Sequence, residues 1–191
     1  MGKSNRRGDI IGAALELIAK HGFHGAPMAR IAEKAGVGAG TIYRYFENKD
    51  RLIMEIFRNL EDQIMAVLHE EYPAGRPIRE RFLYLGTVLL KYFIEHPLHF
   101  HYVEQYHNSP YGVSLRRDRL LGKSAGPDIF KQLFEDGIAQ QVLKELPLFV
   151  LFALAFGPLL ALARDHILGF AILEGPLILQ SIEACWDGIK R

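Results

Sequence analysis

Cysteine is nearly absent from this sequence, which contains one residue of this type, Cys185, among 191. A single cysteine cannot form an internal disulfide, so a reducing compartment is expected. The N-terminal segment is positively charged but lacks an apolar run of signal-peptide length behind it, which predicts a cytoplasmic protein. Because Cys185 precedes the large apolar Trp186, we interpret it as a packing residue and not as a redox switch.

A strong net charge is also lacking, since the formal net charge at pH 7 is +1. Its distribution along the chain is uneven. Residues 1–51 contain nine Lys or Arg and five Asp or Glu, whereas the remainder contains 14 basic and 17 acidic residues. A basic N-terminal segment on a mildly acidic body is typical of a module that binds a polyanion, joined to a part with another role.

The alternation of apolar and polar residues that marks a half-buried strand is missing, while helical spacing of apolar residues occurs nearly everywhere. The sequence therefore predicts an all-α chain. Clusters of proline and glycine, such as YPAGRP, NSPYG and GKSAGP, separate its helices. We expect domains at 1–51 and 52–191, joined stiffly by a long helix that Asn48 caps. The predicted helices span 6–21, 27–35, 39–46, 49–71, 78–95, 97–107, 114–121, 127–145, 148–167 and 174–190.

A glycine-rich corner, GVGAG, follows the second helix at residues 36–40. Glycines of this kind can surround a dinucleotide phosphate, but that loop requires a preceding strand and a βαβ unit, and the preceding residues MARIAEKA are helical. A helix–turn–helix fits the context better. Gly36 permits a left-handed turn, Val37 fills the corner, and Ile42 holds the following short helix from inside.

The short helix after this corner fits the major groove of DNA. Tyrosine hydroxyls can donate to phosphates, and the glycines let backbone N–H groups approach phosphates closely. Lys49 begins the next helix, where the helix dipole disfavours a cation, so a nearby phosphate is expected there. A purely structural role is accepted only for Phe46. With Ile42 inside, the side chains expected to point outward are those of Thr41, Tyr43, Arg44 and Tyr45.

The run GTIYRYFENK, the Gly22–Phe23 turn and the Ile31–Ala32 pair resemble the DNA-binding domain of the TetR family of bacterial transcriptional regulators. The resemblance covers about residues 7–55. It implies a homodimer, two recognition helices about one DNA turn apart, and a C-terminal domain that binds an inducer. By matching position it implies phosphate contacts for Tyr43, Tyr45 and Lys49, and base contacts for Thr41 and Arg44. Gly40 is also expected at the DNA, because glycine lets the backbone approach phosphates closely.

Two positions depart from the family pattern. The second helix of the family often opens with a Ser or Thr cap that also contacts a phosphate, whereas this chain has Ala26–Pro27. One anchoring contact is therefore expected to be missing, together with about 1 kcal/mol of helix stability. Positions 38–39 are Gly-Ala, without the polar side chains of some relatives. Base recognition is expected to depend more on Arg44, whose guanidinium can bind a guanine edge with two hydrogen bonds.

The segment LPLFVLFALAFGPLLALA (146–163) has 18 residues without a charge, which is the length of a membrane span. Pro147 and Gly157–Pro158 interrupt it, and it would be a solitary span. A helix buried on all sides, between the core of its own domain and a partner subunit, is therefore favoured, and no membrane is expected. In TetR-like proteins the last two long helices form a four-helix bundle across the dimer. The resemblance thus implies a homodimer through helices 148–167 and 174–190.

A histidine-rich segment, HPLHFHYVEQYHNSPY, occupies residues 96–111. Metal ligands on a helix lie three or four residues apart on one face, and no His-Glu-x-x-His pattern or cysteine is found here. No metal is assigned, although the sequence leaves open whether His96, His99, His101 and His107 bind one. A helix lining a pocket, with Glu104 and His107 as its polar groups, is preferred.

The rest of this pocket is expected on helices rich in aromatic residues. Each apolar residue alone is more often core, but together they resemble a site for a small apolar or aromatic inducer. No cofactor and no catalytic residue is expected. The predicted lining is Phe82, Leu85, Leu89, Phe93, Phe100, Glu104, His107, Phe130, Phe134, Ile138 and Phe152, with Phe156 closing it.

Together these predictions describe a ligand-responsive transcriptional regulator that binds double-stranded operator DNA. The resemblance implies that it is a repressor. One alternative is a helical small-molecule sensor or carrier whose helix–turn–helix binds protein and not DNA. Another is a metal-dependent hydrolase built on the histidine-rich segment. The first alternative predicts no salt-dependent DNA binding, and the second predicts stoichiometric metal in the purified protein.

Overall fold

The computed structural model describes residues 6–120 and 128–191, and within these ranges the regular structure is helical apart from one isolated bridge. This confirms the predicted all-α class. The predicted break at 122–127 lies outside the described residues. The helices are α1 (Arg6–His21), α2 (Met28–Lys34), α3 (Ala39–Tyr45), α4 (Lys49–Glu70), α5 (Ile78–Glu95), α6 (Pro97–His107), α7 (Pro110–Leu120), α8 (Ile129–Ala139), α9 (Leu148–Ile167) and α10 (Gly175–Ile189).

The chain forms two compact units. The first comprises the described residues of Met1–Gln63 and His96–Lys123, and the second those of Ile64–Glu95 and Ser124–Arg191. The predicted division into domains 1–51 and 52–191 stays a prediction. Nothing in the sequence pattern indicated that α6 and α7 group with the N-terminal helices.

In the first unit α1 packs against α2 and α6, α2 against α3, and α6 against α7. Each helix turns its apolar residues toward a shared core, in which Ile10, Ile31 and Ile42 have no exposed surface. The hydroxyl of Tyr102 on α6 is buried there and donates to the Ile53 carbonyl of α4 at 2.8 Å, which satisfies a polar group that would otherwise be costly to bury.

Glycine forms the two corners of the N-terminal helices, as the sequence predicts. Gly22 has φ 73° and Gly36 has φ 65°, conformations that residues with a Cβ rarely adopt. Pro27 precedes α2, which has no side-chain cap. Asn48 caps α4, since its Oδ1 accepts from the Arg51 N–H at 2.9 Å.

In the second unit α5 packs against α8, α9 and α10, and α9 packs against α10. Its core is aromatic: the ring of Phe82 lies 5.7 Å from that of Phe156 and 5.6 Å from that of Trp186. Cys185, next to this tryptophan, is buried, and burial raises the pKa of its thiol. A raised pKa lowers the thiolate fraction, which agrees with a packing role.

Two predicted helix boundaries are wrong. The helix expected at 114–121 begins earlier, at Pro110, because proline at the first helical position sacrifices no hydrogen bond. The helix expected at 127–145 ends at Ala139, after which Gln141 turns with φ 58°. Leu143 then pairs with Lys190 in an isolated antiparallel bridge. This pairing with the distant chain end replaces helical hydrogen bonds that the local sequence would have allowed.

One helix of the described chain, α9, is long and apolar enough to cross a membrane by length and composition alone. Helices at the core of other proteins pass the same test. In the single chain Phe149 and Leu154 of α9 are exposed, and burial of α9 between its own domain and a partner subunit stays a prediction.

Candidate nucleic-acid interface

The short helix α3 has one buried and one exposed face. Ile42 and Phe46, four residues apart, are buried in the core of the first unit, as expected for Phe46. Tyr43 is 55% exposed and Tyr45 is 37% exposed. Arg44 between them is exposed as well. The structure thus presents two phenol groups and a guanidinium outward from one helical turn.

The remaining DNA-binding residues predicted on α3, Gly40 and Thr41, lie in its first turn. Gly40 is exposed, and Thr41 is half-buried with its backbone N–H donating to the Gly38 carbonyl at 2.8 Å. The guanidinium carbon of Arg44 lies 5.6 Å from the centre of the Tyr45 ring, a cation–π distance. This contact limits the positions of a long side chain that solvent would otherwise leave mobile.

Lys49 is half-buried at the start of α4, and its Nζ donates to the carbonyl oxygen of Phe23 in the turn after α1. Burial lowers the pKa of this ammonium group, and the neighbouring carboxylate of Asp50 opposes the shift. An ammonium group has three donors, so this bond leaves two for a phosphate. The sequence predicted the phosphate contact but not the internal bond that positions the group.

An aromatic cluster that the sequence analysis missed supports this turn. The ring of Phe23 lies 6.2 Å from that of Tyr102 and 5.7 Å from that of Tyr111, both edge to face. The rings of Phe57 and Tyr106 stack at 3.8 Å. Such pairs contribute about 0.5–1.5 kcal/mol each beyond burial. The sequence signal for this cluster was the three tyrosines Tyr102, Tyr106 and Tyr111, in a segment predicted only as part of a pocket.

The predicted pocket residues are divided between the two units. Phe100, Glu104 and His107 lie on α6 in the first unit, where the His107 ring meets that of Phe57 edge to face at 5.5 Å. The others lie in the second unit. There Ile138 is half-buried and Phe152 is 41% exposed. That all of them line one cavity stays a prediction. The members of the set buried in the second unit are Phe82, Leu85, Leu89, Phe93, Phe130 and Phe134.

The histidine-rich segment brings two imidazoles together. The rings of His96 and His99 stack with centres 5.1 Å apart. Within the ranges 6–120 and 128–191, no group of three or more His, Cys, Asp or Glu side chains converges as a metal site would require.

Family models match both parts of the chain. Residues 10–56 match the model described as bacterial regulatory proteins, tetR family, and residues 77–190 match the model described as Tetracyclin repressor-like, C-terminal domain. The second match alone covers more than half of the chain.

Full-length relatives agree with these models. An HTH-type transcriptional regulator of Haemophilus influenzae is 28% identical over 99% of this chain and 98% of its own length. The crystal structure of a TetR-family regulator from the same organism has a TM-score of 0.81 at 25% identity, covering 98% of both chains. A putative TetR-family regulator of Vibrio parahaemolyticus has a TM-score of 0.77 at 32% identity, covering 98% of this chain and 100% of that one.

A partial match concerns a protein with a more specific name. The fatty acid metabolism regulator protein of Bacillus subtilis is 36% identical over 84 residues. This match spans 44% of this chain and 42% of that protein, so it supports no conclusion about the function of either protein as a whole.

Proposed function

Because the chain belongs to the TetR family, and is therefore a transcriptional regulator and not an enzyme, we propose that it binds operator DNA as a homodimer and represses transcription until a small apolar ligand releases it. It acts in the cytoplasm, where operator DNA is found. The observation that carries the proposal is the exposed face of α3, on which Tyr43, Arg44 and Tyr45 lie outward while Ile42 and Phe46 are held in the core.

The face of α3 suits DNA in both chemistry and size. Two phenol groups and the ammonium group of Lys49 can donate to phosphates and set the position of the helix. Arg44 then lies where it can bind a guanine edge with two hydrogen bonds, which contributes about 1–3 kcal/mol of discrimination against other bases. A protein-binding helix–turn–helix, the alternative, would gain less from three donor side chains on one turn of α3 and the ammonium group of Lys49 on α4.

The dimer would form through α9 and α10. Apart from the tyrosines of α3, Val67 and Val113, every exposed large hydrophobic side chain in the described parts of the chain lies between Phe149 and Leu179. Exposed apolar side chains concentrated in this way mark an interaction surface. A homodimer would place two copies of α3 about one helical turn of DNA apart.

The ligand would bind in the second unit, whose core is rich in aromatic rings. Phe130 and Phe156 meet with ring centres 4.9 Å apart, and the partly exposed Phe152 lies 5.2 Å from Phe156. Apolar walls of this kind suit a small apolar or aromatic molecule. Because the name of the Bacillus subtilis relative refers to fatty acid metabolism, a ligand screen should include acyl compounds as well as aromatic ones.

Release would depend on α4, which contributes residues to both units. A ligand that prefers one position of α4 changes the spacing of the two recognition helices, and DNA affinity falls by the coupling free energy. Such coupling is typically about 1–3 kcal/mol, or roughly 5- to 150-fold.

The test is fluorescence-anisotropy binding to the DNA upstream of the protein's own gene, across a salt series. We expect tight binding with a steep dependence on salt, and a slope reduced by up to about two units for the homodimer in Tyr43→Ala/Lys49→Ala. Lys91→Ala, which removes an exposed cation from α5 in the second unit, is the control and should keep the wild-type slope.

The role of Arg44 has its own test. Arg44→Ala should reduce the preference for the operator over random DNA more than it reduces binding to random DNA. An equal reduction on both sequences would make Arg44 a phosphate contact. The DNA-binding proposal would be overturned if wild-type binding were weak and independent of salt, and if Tyr43→Ala/Lys49→Ala did not change it. That result would favour the protein-binding alternative.

A further inference from the structure

An open depression of about 350 Å³ lies beside the exposed face of α3 in the first unit. Its walls come from the first turn of α1, with Arg6 and Asp9, from the turn between α2 and α3, and from Thr41. The wall residues of the turn, Ala35 to Gly38, carry no polar side chain. The polar side chains of the walls are therefore those of Arg6, Asp9 and Thr41.

We propose that this depression receives a phosphate of the DNA backbone, and that Arg6 is a further phosphate-contacting residue that works beside Thr41. The inference rests on the proposed function and adds a contact from α1, a helix outside the helix–turn–helix pair. A guanidinium presents several N–H donors in a plane, which matches the oxygens of a phosphate. The hydroxyl of Thr41 can donate to the same group.

The neighbouring arginine shows why Arg6 is available for this contact. Arg7 forms an ion pair with Glu55, and its guanidinium carbon lies 5.4 Å from the centre of the buried Phe46 ring. Its charge is therefore used to hold α1 against α3 and α4. Arg6 is exposed and forms no ion pair within the described chain. Two consecutive arginines thus have different roles, one internal and one facing the depression.

Asp9 has a counteracting role in the same depression. Its carboxylate is exposed at the wall, where it repels phosphate oxygens and weakens non-specific attraction. Removal of this charge should therefore strengthen DNA binding, whereas removal of the Arg6 charge should weaken it. A change in helix stability alone predicts the reverse pattern, because the helix dipole favours Asp9 and disfavours Arg6 in the first turn of α1.

The experiment measures anisotropy with a random-sequence duplex and with the upstream duplex, each long enough for two half-sites about one helical turn apart. Arg6→Ala should reduce the slope of log K against log salt concentration by about 0.9 for each phosphate that is no longer neutralised, or by roughly two units for a homodimer. The reduction should be equal on both duplexes because phosphates carry no sequence information. Arg6→Lys should retain most of the slope, and Asp9→Asn should bind both duplexes more tightly at low salt.

Arg58→Ala is the matched control, since Arg58 is an exposed cation on α4 in the same unit but does not line the depression. Equal slopes for wild type, Arg58→Ala and Arg6→Ala would overturn the inference, provided that Lys49→Ala still lowers the slope. A reduction confined to the upstream duplex would overturn the phosphate assignment. Absence of salt-dependent binding by the wild type itself would instead contradict the proposed function. Thermal unfolding of each variant distinguishes a folding defect from a missing phosphate interaction.

Discussion

The hydroxyl of Tyr111 on α7 donates a hydrogen bond of 2.5 Å to the carboxylate of Asp50, in the first turn of α4 beside Lys49. Burial, together with this carboxylate, raises the pKa of Tyr111 to about 12, so the hydroxyl stays protonated and remains a donor at any physiological pH. The ring of the same tyrosine contacts Phe23, whose carbonyl accepts from Lys49. Tyr111 therefore contacts two residues next to the proposed phosphate-binding Lys49. These are Asp50, its neighbour in sequence, and Phe23, whose carbonyl accepts its hydrogen bond.

Tyr111→Phe should weaken DNA binding about threefold while the free energy of unfolding falls by about 1 kcal/mol, because the ring contacts remain and only the hydrogen bond is removed. Anisotropy and urea unfolding measure the two quantities. Tyr111→Ala, which also removes the ring contacts, should be destabilised further. Unchanged affinity and salt dependence in Tyr111→Phe would show that Tyr111 supports the fold without positioning Lys49.

Arg81 is a buried cation of the second unit, 5% exposed, that donates to the Tyr72 hydroxyl and to the Asp136 carboxylate, each at 2.8 Å. Arg81→Ala should lower the free energy of unfolding by about 2–3 kcal/mol, because it removes both hydrogen bonds and the ion pair and leaves Asp136 with its hydrogen bond from Gln132. Arg79→Ala on the same helix is the control. Arg79 pairs with Glu183 on the surface, and its removal should cost about 0.5 kcal/mol in urea unfolding. Similar destabilisation of the two variants would contradict the role given to Arg81.

Glu16 on α1 receives ion pairs from Lys20 and from Lys34 of α2, which hold its pKa at about 2. A carboxylate whose pKa is lower in the folded state stabilises the protein above its unfolded-state pKa of about 4.3, and this stabilisation is lost as the pH falls toward 2. Glu16→Gln should therefore unfold more easily than wild type at pH 7, and the difference should shrink between about pH 4.5 and 2. Urea midpoints across this pH range measure the effect. A difference that stays constant with pH would assign it to packing and not to ionisation.

Leu179 on α10 is an exposed apolar residue of the surface proposed for dimerisation, as is Leu177. Leu179→Glu should shift the protein from dimer to monomer without a decrease in helix content, because a buried charge at an apolar interface costs several kcal/mol while the side chain is exposed in the single chain. Light scattering after size-exclusion chromatography gives the mass. Val113→Glu on α7, where the side chain is also exposed but lies outside the surface, should remain dimeric. A dimer that persists in Leu179→Glu would place the interface elsewhere.

The candidate site was largely predictable, since its exposure follows from local rules. Once Ile42 is inside, helical periodicity places Tyr43, Arg44 and Tyr45 outside, and the structure confirms this exposure. The contacts that orient the site were not predictable. The bond from Lys49 to the Phe23 carbonyl joins residues 26 positions apart, and no spacing rule connects them. Arg6 and Arg7 also look alike in the sequence, and only their neighbours in space distinguish them.

The sequence by itself determined the all-α class, the bounds of α1, α5, α6 and α9, and the glycine corners around α2, because helix periodicity and the conformations of glycine and proline act over a few residues. Only the tertiary structure decided where α8 ends, which helices belong to the same unit as α3, and which cationic side chains bond to other groups of the protein. These outcomes depend on residues far apart in the chain, such as Leu143 and Lys190, whose pairing competes with local helix formation. The local preference for helix is overridden where distant contacts satisfy the hydrogen bonds of the same backbone groups and bury more apolar surface.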